Sequence, residues 1–291
     1  TLYDKMLVQV SNQDNIARIS SYGFAFGYLG GGFLFLINAA MTINPEFFGL
    51  SSVADAVRWS FLSVSVWWTL FLIPILLKIQ DKGVSFPGSH FKMAYLRVIN
   101  TLRTVSSKKN VFIFLLAFFL YIDGVHTIMA MAADFALNLG LPSSDIIVAL
   151  ILVQFVAFPT TLLWSKFAYK FGEKNTLLFT ISLYLLVIAY SAFLSNAIEF
   201  YVLASMVGAI QGGIQSISRS YYATLIPYDE SGEYFGFYNM FGRAGAFMGP
   251  ALVAIFVTFF QDTRFGLIPI AGLFIMGAII LLKVQSNNES L

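Results

Sequence analysis

Long apolar runs alternate with short polar segments along the whole of this chain. Eight runs are long enough to predict helices, roughly over residues 19–43, 53–77, 111–137, 145–168, 175–195, 198–222, 234–260 and 265–284. An α-helix rises about 1.5 Å per residue, so about 20 apolar residues cross a hydrocarbon core of about 30 Å. Strands of a membrane barrel would instead be alternating segments of about ten residues. The pattern therefore predicts an all-α polytopic membrane protein.

Composition supports this interpretation and excludes several kinds of functional site. Of the 291 residues, 58% are hydrophobic and only 11% are charged, whereas soluble domains carry about 25% charged residues. The chain has no cysteine, which excludes a disulfide framework and thiol ligands or nucleophiles. The basic residues are concentrated on one predicted side of the membrane, as the next paragraph shows. The net charge of +2 therefore does not indicate nucleic-acid binding.

Positive charge alternates between the connecting segments. Residues 78–109 hold seven basic residues against one acid, and the loop after the fourth run holds Lys166, Lys170 and Lys174. Lys and Arg are almost absent from the opposite loops, which are residues 44–52, 138–144, 195–197 and 261–264. The positive-inside rule therefore predicts that both termini and the central segment are cytoplasmic. Eight is an even number of crossings, which agrees with both termini lying on the same side of the membrane.

The central segment 78–110 is the one sizeable polar stretch. Met93, Leu96, Ile99 and Leu102 recur every three residues, with basic residues between them. This spacing fits an amphipathic helix at the membrane surface, and it fits an ordinary solvated linker helix equally well.

A weak internal repeat suggests how the spans are grouped. GFAFGYLGGG at 23–32 and GFYNMFGRAG at 236–245 each open a span that leaves the cytoplasmic side, and their first and last glycines are in register. Two similar halves in tandem would produce such a repeat. We therefore expect residues 1–77 to end an N-terminal bundle, 78–110 to link, and 111–291 to form a six-helix C-terminal bundle. On this hypothesis about four N-terminal spans are missing from the chain.

Several motifs carry a family resemblance over nearly the whole chain. SKFAYKFGEKN at 165–175 resembles a cytoplasmic loop motif of the major facilitator superfamily, with Tyr169 where an acid is usual. The segments that resemble the bacterial branch related to autophagy-associated vacuolar amino-acid effluxers are SSYGFAFGYLGGG (20–32), YIDG (121–124), LVQFVAFP (152–159), GAIQGGIQSISRSYYATLIP (208–227) and EYFGFYNMFGRAGAFMGP (233–250). The resemblance implies a major-facilitator-type fold and secondary transport by alternating access, with amino-acid efflux as the associated activity.

Two ionisable residues lie deep in the third run. Asp123 is about 18 Å from its cytoplasmic end, and His126 follows three residues later, on the same helical face. A charge at the bilayer centre costs at least about 2.5–3.5 kcal/mol, so such groups usually face a cavity or a partner. Asp123 is a candidate proton or amine site and His126 a candidate proton partner. The alternative is a hydrogen-bonded pair that fixes helix packing.

A polar stripe runs along the span 198–222. Gln211, Gln215 and Arg219 recur every four residues, so they share one helical face. Glycines at 208, 212 and 213 should allow another helix to approach closely. The two glutamines are candidate ligand contacts. Arg219, near the cytoplasmic end, is a candidate of the same kind or a side chain that snorkels to the interface.

Three further residues complete the predicted cavity. Asn239 and Arg243 repeat the four-residue spacing on the next span, and a deep arginine suits an anionic group through its forked donors. The alternative for Arg243 is a structural ion pair, for example with Asp123. Gln154 in the fourth run could contact a ligand or hydrogen-bond to a neighbouring helix.

Two other groups are candidates for conformational roles. Lys170, Gly172 and Lys174 face the acidic cluster around Glu233 on the predicted cytoplasmic side, where they would form a gate or simply set topology. Gly242, Gly245, Gly249 and Pro250 make a small-residue face. We expect this face to pack against the other half of the protein, or to let its helix bend.

These features together predict a transporter rather than an enzyme. The chain shows no nucleophile elbow, phosphate-binding glycine loop or histidine cluster at metal spacing, and no cofactor is expected. The expected function is secondary transport of a small polar solute, such as an amino acid, across a bacterial inner membrane, with protons as a second partner and a monomeric state. The alternatives are transport of an anionic metabolite or amphiphile, and a non-transporting scaffold or sensor.

Overall fold

A computed structural model describes residues 2–78, 105 and 108–285. Its helices are α1 (Leu2–Val10), α2 (Ile16–Ile43), α3 (Val53–Lys78), α4 (Lys109–Asn138), α5 (Ser143–Phe171), α6 (Glu173–Ser191), α7 (Ala197–Leu225), α8 (Ser231–Ala244), α9 (Met248–Phe260) and α10 (Leu267–Leu282). Short 3₁₀ turns occur at Pro45–Phe48, Gly245–Phe247 and Thr263–Gly266. No strand occurs in this part of the chain.

The eight predicted spans are confirmed. Eight helices among the described residues are long and apolar enough to cross a membrane, and their ends lie within a few residues of the predicted bounds. The seventh span, Ser231–Phe260, contains α8 and α9 with a 3₁₀ turn between them. Gly245 of the small-residue face begins that turn, and Gly249 and Pro250 lie just after it, where a helix bends readily.

The chain divides into two compact units. The first contains Thr1–Tyr28 and Val98–Leu291, and the second contains Leu29–Arg97. In the first unit, α5 and α7 pack along most of their length. A Cβ built on Gly212 would collide with the Thr161 side chain, and one on Gly208 would lie 2.7 Å from the Val153 carbonyl oxygen. The glycines of α7 therefore permit the close approach that their sequence pattern predicts.

Glycines also permit the close packing of a second helix pair in this unit, α4 and α10. A Cβ on Gly124 of α4 would lie 2.8 Å from the Phe274 ring, and one on Gly277 of α10 would lie 3.0 Å from the Tyr121 Cβ. Phe274 in turn stacks on Tyr184 of α6, with ring centroids 5.0 Å apart. Glycines thus permit the close contacts of both helix pairs, α5 with α7 and α4 with α10.

The second unit contains the rest of α2 and all of α3. Ser63 donates a hydrogen bond to Asn38 Oδ1 at 2.9 Å, and Gly30 lies against the Trp67 ring. Large apolar side chains along α3 are exposed, as expected of a helix whose surroundings are lipid or other helices.

The predicted three-part division at 77 and 110 stays a prediction. The proposed amphipathic helix, with Met93, Leu96, Ile99 and Leu102, lies outside the described residues.

Candidate transport site

The polar stripe of α7 is the centre of the site. Gln211 and Arg219 are each only 4% exposed, and Gln215 between them is half-buried. The stripe faces α2, because side chains of α2 contact it at successive turns, as the following distances show. A polar face of this kind inside a bundle is expensive and usually carries a function.

Tyr28 of α2 lies against both glutamines. Its hydroxyl donates a hydrogen bond to Gln215 Oε1 at 2.7 Å, and the Gln211 side chain interacts with the same hydroxyl. Gln215 Nε2 also lies 3.9 Å from the Met129 sulfur on α4. The three helices α2, α4 and α7 therefore converge at this level.

Directly after Gln215, Ser216 of α7 is joined to two serines of α2. Ser20 Oγ donates to the Ser216 carbonyl oxygen at 2.7 Å, and Ser21 Oγ donates to Ser216 Oγ at 3.1 Å. All three serines are fully buried. Small hydroxylated residues let two backbones approach while satisfying their own polar atoms.

Arg219 completes this contact line and is surrounded by partners. Its Nε and one terminal nitrogen donate to the Oγ and carbonyl oxygen of Ser20 at 3.0 and 2.9 Å, and its other terminal nitrogen lies 3.5 Å from Asp4 Oδ1 on α1. The guanidinium also lies over the rings of Tyr3 and Phe24. Of the two alternatives for Arg219, snorkelling to the interface is wrong, since the side chain is buried and enclosed by α1 and α2; its role as a ligand contact stays a prediction.

Asn239 of α8 belongs to the same cluster. Its Nδ2 donates to Asp4 Oδ2 at 2.8 Å and to the Phe235 carbonyl oxygen at 2.8 Å. Asp4 therefore links α7 to α8 through one carboxylate. We call Asp4, Ser20, Arg219 and Asn239 the Asp4 cluster.

Asp123 lies on a different side of α4, under the 3₁₀ turn that separates α8 from α9. It is fully buried, and neither carboxylate oxygen has a hydrogen bond of good geometry to a described residue. A Cβ on Gly245 would lie 3.1 Å from Asp123 Cβ, and one on Gly249 would lie 3.1 Å from Asp123 Oδ1. The carboxylate thus faces the first turn of α9, where the helix dipole favours negative charge.

This position corrects one expectation about the small-residue face. Gly245 and Gly249 pack against α4, which belongs to the same predicted bundle, and not against the other half. A larger side chain at Gly249 would collide with Thr127 as well as with the carboxylate. The glycines are therefore what brings the start of α9 against Asp123.

His126 is half-buried one turn after Asp123. Its Nδ1 is buried and has no partner among the described residues. His126 and Met129 are three residues apart, so they share a face of α4, and Met129 is the residue that contacts Gln215. By helical spacing, His126 therefore lies between the Asp123 side and the Met129 side of α4.

Arg243 and Gln154 lie outside these clusters. Arg243 is exposed and makes no hydrogen bond or ion pair with a described residue, so the considered pair with Asp123 is not formed. Gln154 is half-buried on α5. Their roles as cavity residues stay predictions.

The predicted gate residues have other partners here. Lys174 Nζ donates to the carbonyl oxygens of Leu282 and Val284 at 2.9 and 2.6 Å, and so satisfies the C-terminal end of α10. Gly172, between α5 and α6, has a φ of +82°, a conformation that glycine adopts readily. Lys170 is exposed and lies over the Phe171 ring. A gate between these lysines and Glu233 stays a prediction.

Three residues of the site were missed by the sequence analysis, namely Asp4, Ser20 and Tyr28. The signal for two of them was present, because Ser20 and Tyr28 are eight residues apart and share a face of the span. Asp4 gave no signal, since its partners are more than 200 residues away along the chain.

The family of the chain follows from comparison with known proteins. A family model described as vacuole effluxer Atg22 like matches residues 6–290. The chain belongs to the Atg22-like family. Its motifs at 20–32, 208–227 and 233–250 supply much of the site described above.

Curated relatives of this Atg22-like chain are named as transporters or autophagy proteins. The uncharacterized MFS-type transporter YxiO of Bacillus subtilis is 34% identical over 99% of the chain, which spans 68% of that protein. Autophagy-related protein 22 of Yarrowia lipolytica is 26% identical over 93% of the chain. The chain spans about half the length of this fungal relative, 52%. The relatives support an MFS-type membrane transporter and not an enzyme.

Solved structures show the same fold. A bacterial homologue of the iron transporter ferroportin in an outward-facing state has a TM-score of 0.60 at 12% identity, covering 95% of this chain and 66% of that one. The same homologue with soaked iron gives a TM-score of 0.58 at 14% identity. In the described part of the Atg22-like chain, no group of three or more His, Asp or Glu side chains is arranged to hold a metal ion.

Proposed function

We propose that the protein is a secondary transporter that exchanges or exports a small polar solute, such as an amino acid, by alternating access. The observation that carries this proposal is the buried polar face of α7, which meets Ser20, Ser21 and Tyr28 of α2 between Gln211 and Arg219. A helix seam held by hydrogen bonds and one ion pair can open and close at modest cost, unlike a seam of interlocked apolar side chains. Membership of the Atg22-like family supports transport as the activity.

The solute cavity in this proposal is formed by the middle of the α7 stripe and by α4. Gln211, Gln215 and His126 supply hydrogen-bonding groups, and Gln154, Asn239 and Arg243 are its predicted outer members. The fold places such sites between the two halves of a carrier, near the membrane centre.

Asp123 is the proposed proton site. It is enclosed by Gly245, Gly249 and Thr127, so a proton reaches it more easily than a solute does. A neutral carboxyl group loses its attraction to the first turn of α9, whereas a carboxylate is held there. Protonation would thus act on the 3₁₀ turn between α8 and α9, which is a natural bending point.

The Asp4 cluster is the proposed cytoplasmic gate. If the termini are cytoplasmic, the start of α2 and the end of α7 lie at the inner face, and Asp4, Ser20 and Arg219 close the seam there. The gate predicted from Lys170, Gly172, Lys174 and Glu233 would then act alongside this cluster or in another state of the cycle. A bacterial inner-membrane location belongs to the same proposal.

Solute counterflow into proteoliposomes tests the function. Vesicles loaded with an unlabelled amino acid should accumulate the same labelled amino acid, and Gln215→Leu should reduce the rate while Ser182→Ala, on the exposed side of α6, should not. A scaffold or sensor would show no counterflow with any solute, and that result would overturn the proposal.

One observation favours a second candidate, an anionic solute. Arg243 is exposed and forms no ion pair with a described residue, so its guanidinium is available to a carboxylate or phosphate. Counterflow of phosphate-bearing metabolites that is lost in Arg243→Gln, without counterflow of amino acids, would select this candidate.

A further inference from the structure

The start of α4 and the end of α10 are joined at one edge of the bundle. Asn110 Nδ2 donates a hydrogen bond to the Gln285 carbonyl oxygen at 3.3 Å, and the Gln285 backbone N–H donates to Asn110 Oδ1 at 3.2 Å. Lys109 begins one membrane-spanning helix, and Lys283 directly follows the last residue of another. We call Lys109 and Lys283 the lysine pair. Both residues lie where the apolar length of the protein ends, on the same side of the membrane.

The charges of the lysine pair have no partner among the described residues. Both side chains are exposed, and neither ammonium group forms an ion pair or a hydrogen bond within the described part of the chain. The neighbouring Lys108 differs, because its ammonium group lies 5.1 Å from the centre of the Tyr234 ring. A lysine at the start of a helix opposes the helix dipole, so Lys109 does not serve to stabilise α4.

Lys174 increases the positive charge at this edge. Its Nζ donates to the carbonyl oxygens of Leu282 and Val284, which lie on either side of Lys283 along the chain. Glu173, the acid next to Lys174, does not offset these charges there, because its side chain interacts with α7 and its Oε1 is buried. The edge therefore has a positive potential, and an anion that approaches along the membrane surface is attracted to it.

Apolar side chains continue from the lysine pair into the membrane. Four of them, placed three, four or seven positions from a lysine of the pair, share its helical face and are exposed. The two helices are neighbours, since Gly124 and Gly277 let them approach closely. A positive group above an exposed apolar surface matches the order of headgroup and acyl chains in an anionic phospholipid. The four side chains are Phe112 and Leu116 on α4, and Met276 and Ile279 on α10.

We infer that the lysine pair binds the phosphate group of an anionic phospholipid, whose acyl chains lie along the exposed apolar faces of α4 and α10. A headgroup such as that of phosphatidylglycerol has a negative charge and no cation of its own, so it complements the positive lysine pair. Phosphatidylcholine has an ammonium group that already neutralises its phosphate. Two lysines near an anionic lipid surface should together give phosphatidylglycerol a preference of roughly ten- to thirtyfold. The inference concerns the lipid-facing surface and is independent of the transported solute.

Thermal unfolding of the full chain in a neutral detergent tests the lipid site, since a ligand that binds the folded state raises its unfolding temperature. The probes are dioleoyl phosphatidylglycerol and dioleoyl phosphatidylcholine, which have the same acyl chains and differ in the headgroup, together with inorganic phosphate. We expect phosphatidylglycerol to raise the unfolding temperature at a concentration roughly ten- to thirtyfold lower than phosphatidylcholine does. Inorganic phosphate at the same concentration should have no effect, because it lacks acyl chains.

Variants separate the lysine pair from the general charge of the protein. Lys109→Gln combined with Lys283→Gln should abolish the preference for phosphatidylglycerol, and arginine at the same two positions should retain it. The matched control is Lys78→Gln combined with Lys166→Gln, which removes two exposed lysines from other helices on the same predicted side and should keep the preference. Either glutamine substitution of the pair made alone should reduce the preference by about fivefold. The test therefore does not depend on the folding of the double variant.

Four results would overturn the inference. They are equal stabilisation by the two lipids, full preference in the glutamine variant of the lysine pair, and an equal loss of preference in that variant and in the control. The fourth is stabilisation by inorganic phosphate as strong as that by phosphatidylglycerol, since it would indicate an anion site to which acyl chains contribute nothing.

Discussion

The Asp4 cluster gives the sharpest mechanical prediction. Asp4→Asn keeps the shape of the side chain and removes its charge, so it weakens the 3.5 Å ion pair with Arg219 and disturbs the 2.8 Å hydrogen bond from Asn239. These contacts join α1 to α7 and to α8, at the end of the α2–α7 seam that we propose to open during transport. The variant should therefore favour the state that is open at this end.

The size of the effect follows from the burial of the pair. The side chains of Arg219 and Asp4 are 5% and 13% exposed, and a hydrogen bond to a buried charged group contributes about 1.5–3 kcal/mol. Asp4 regains water when the seam opens, so this loss falls mainly on the closed state. Since 1.4 kcal/mol is a factor of ten, the open population should rise about ten- to a hundredfold.

A single engineered cysteine can report this population. The natural chain has no cysteine, and Ser216 is fully buried in the seam against Ser20 and Ser21. In Ser216→Cys, labelling by a membrane-impermeant maleimide added from the side that we propose to be cytoplasmic should follow the opening of the seam. Adding Asp4→Asn should increase the labelling rate by about tenfold or more.

Asp55→Asn is the matched control for this experiment. It breaks the Arg58–Asp55 pair, whose N–O distance is 3.1 Å but whose side chains are 79% and 34% exposed. Exposed pairs contribute little, so labelling of Ser216→Cys should not change. Equal labelling in Asp4→Asn and in the parent would show that the Asp4 cluster does not hold the seam closed.

Three further predictions concern separate contacts. Asp123→Asn cannot release a proton, so uptake driven by a pH gradient should be lost while counterflow continues; loss or retention of both together would contradict a coupling role. Gly212→Ala should lower the free energy of unfolding by about 1–3 kcal/mol, the usual cost of overpacking, because its Cβ meets Thr161. Thermal unfolding in detergent checks this against Gly272→Ala, whose Cβ meets nothing within 4 Å, and equal melting temperatures would refute it. Lys174→Met should lower the free energy of unfolding by about 1 kcal/mol, because two carbonyl oxygens at the end of α10 lose their cation. Lys170→Met loses only a contact with the Phe171 ring and should lower it less in the same assay. A larger loss in Lys170→Met would contradict the assignment.

The helices of this protein could be predicted well from the sequence, for a physical reason. A span must be about 20 apolar residues long whatever packs around it, so the eight spans follow from local pattern alone. The stripe Gln211–Gln215–Arg219 could be predicted equally well, because four-residue spacing is a property of one helix. The glycines of α7 likewise predicted a close neighbour without saying that it is α5.

The partners of these side chains could not be predicted in the same way. Arg219 was expected to snorkel or bind a solute, and its actual environment depends on α1 and α2, about 200 residues earlier in the chain. Lys174 was expected to face acidic residues and instead binds the end of α10. Such contacts are decided by which helices become neighbours, and one helix's periodicity carries no information on that.

Asp123 illustrates both what the sequence can predict and what it cannot. Its depth in the membrane and the free-energy cost of its charge there could be predicted from the apolar run around it. The glycine face at 242–250 could also be recognised in the sequence. That the two meet, with the carboxylate under the start of α9, required the packing of α4 against the seventh span. This contact adds a bending point, the 3₁₀ turn, beside the residue that the sequence already predicts as a candidate proton site.

The most direct test of the account is the distance between the ends of α2 and α7 in the reconstituted protein. Spin labels at Arg18→Cys and Tyr228→Cys, two exposed positions at those ends, report it by pulsed electron resonance. We predict two distance populations, with the longer one enriched by Asp4→Asn and both shifted by an amino acid that the protein transports. A single distance, unchanged by the substitution and by every solute, would contradict alternating access at this seam.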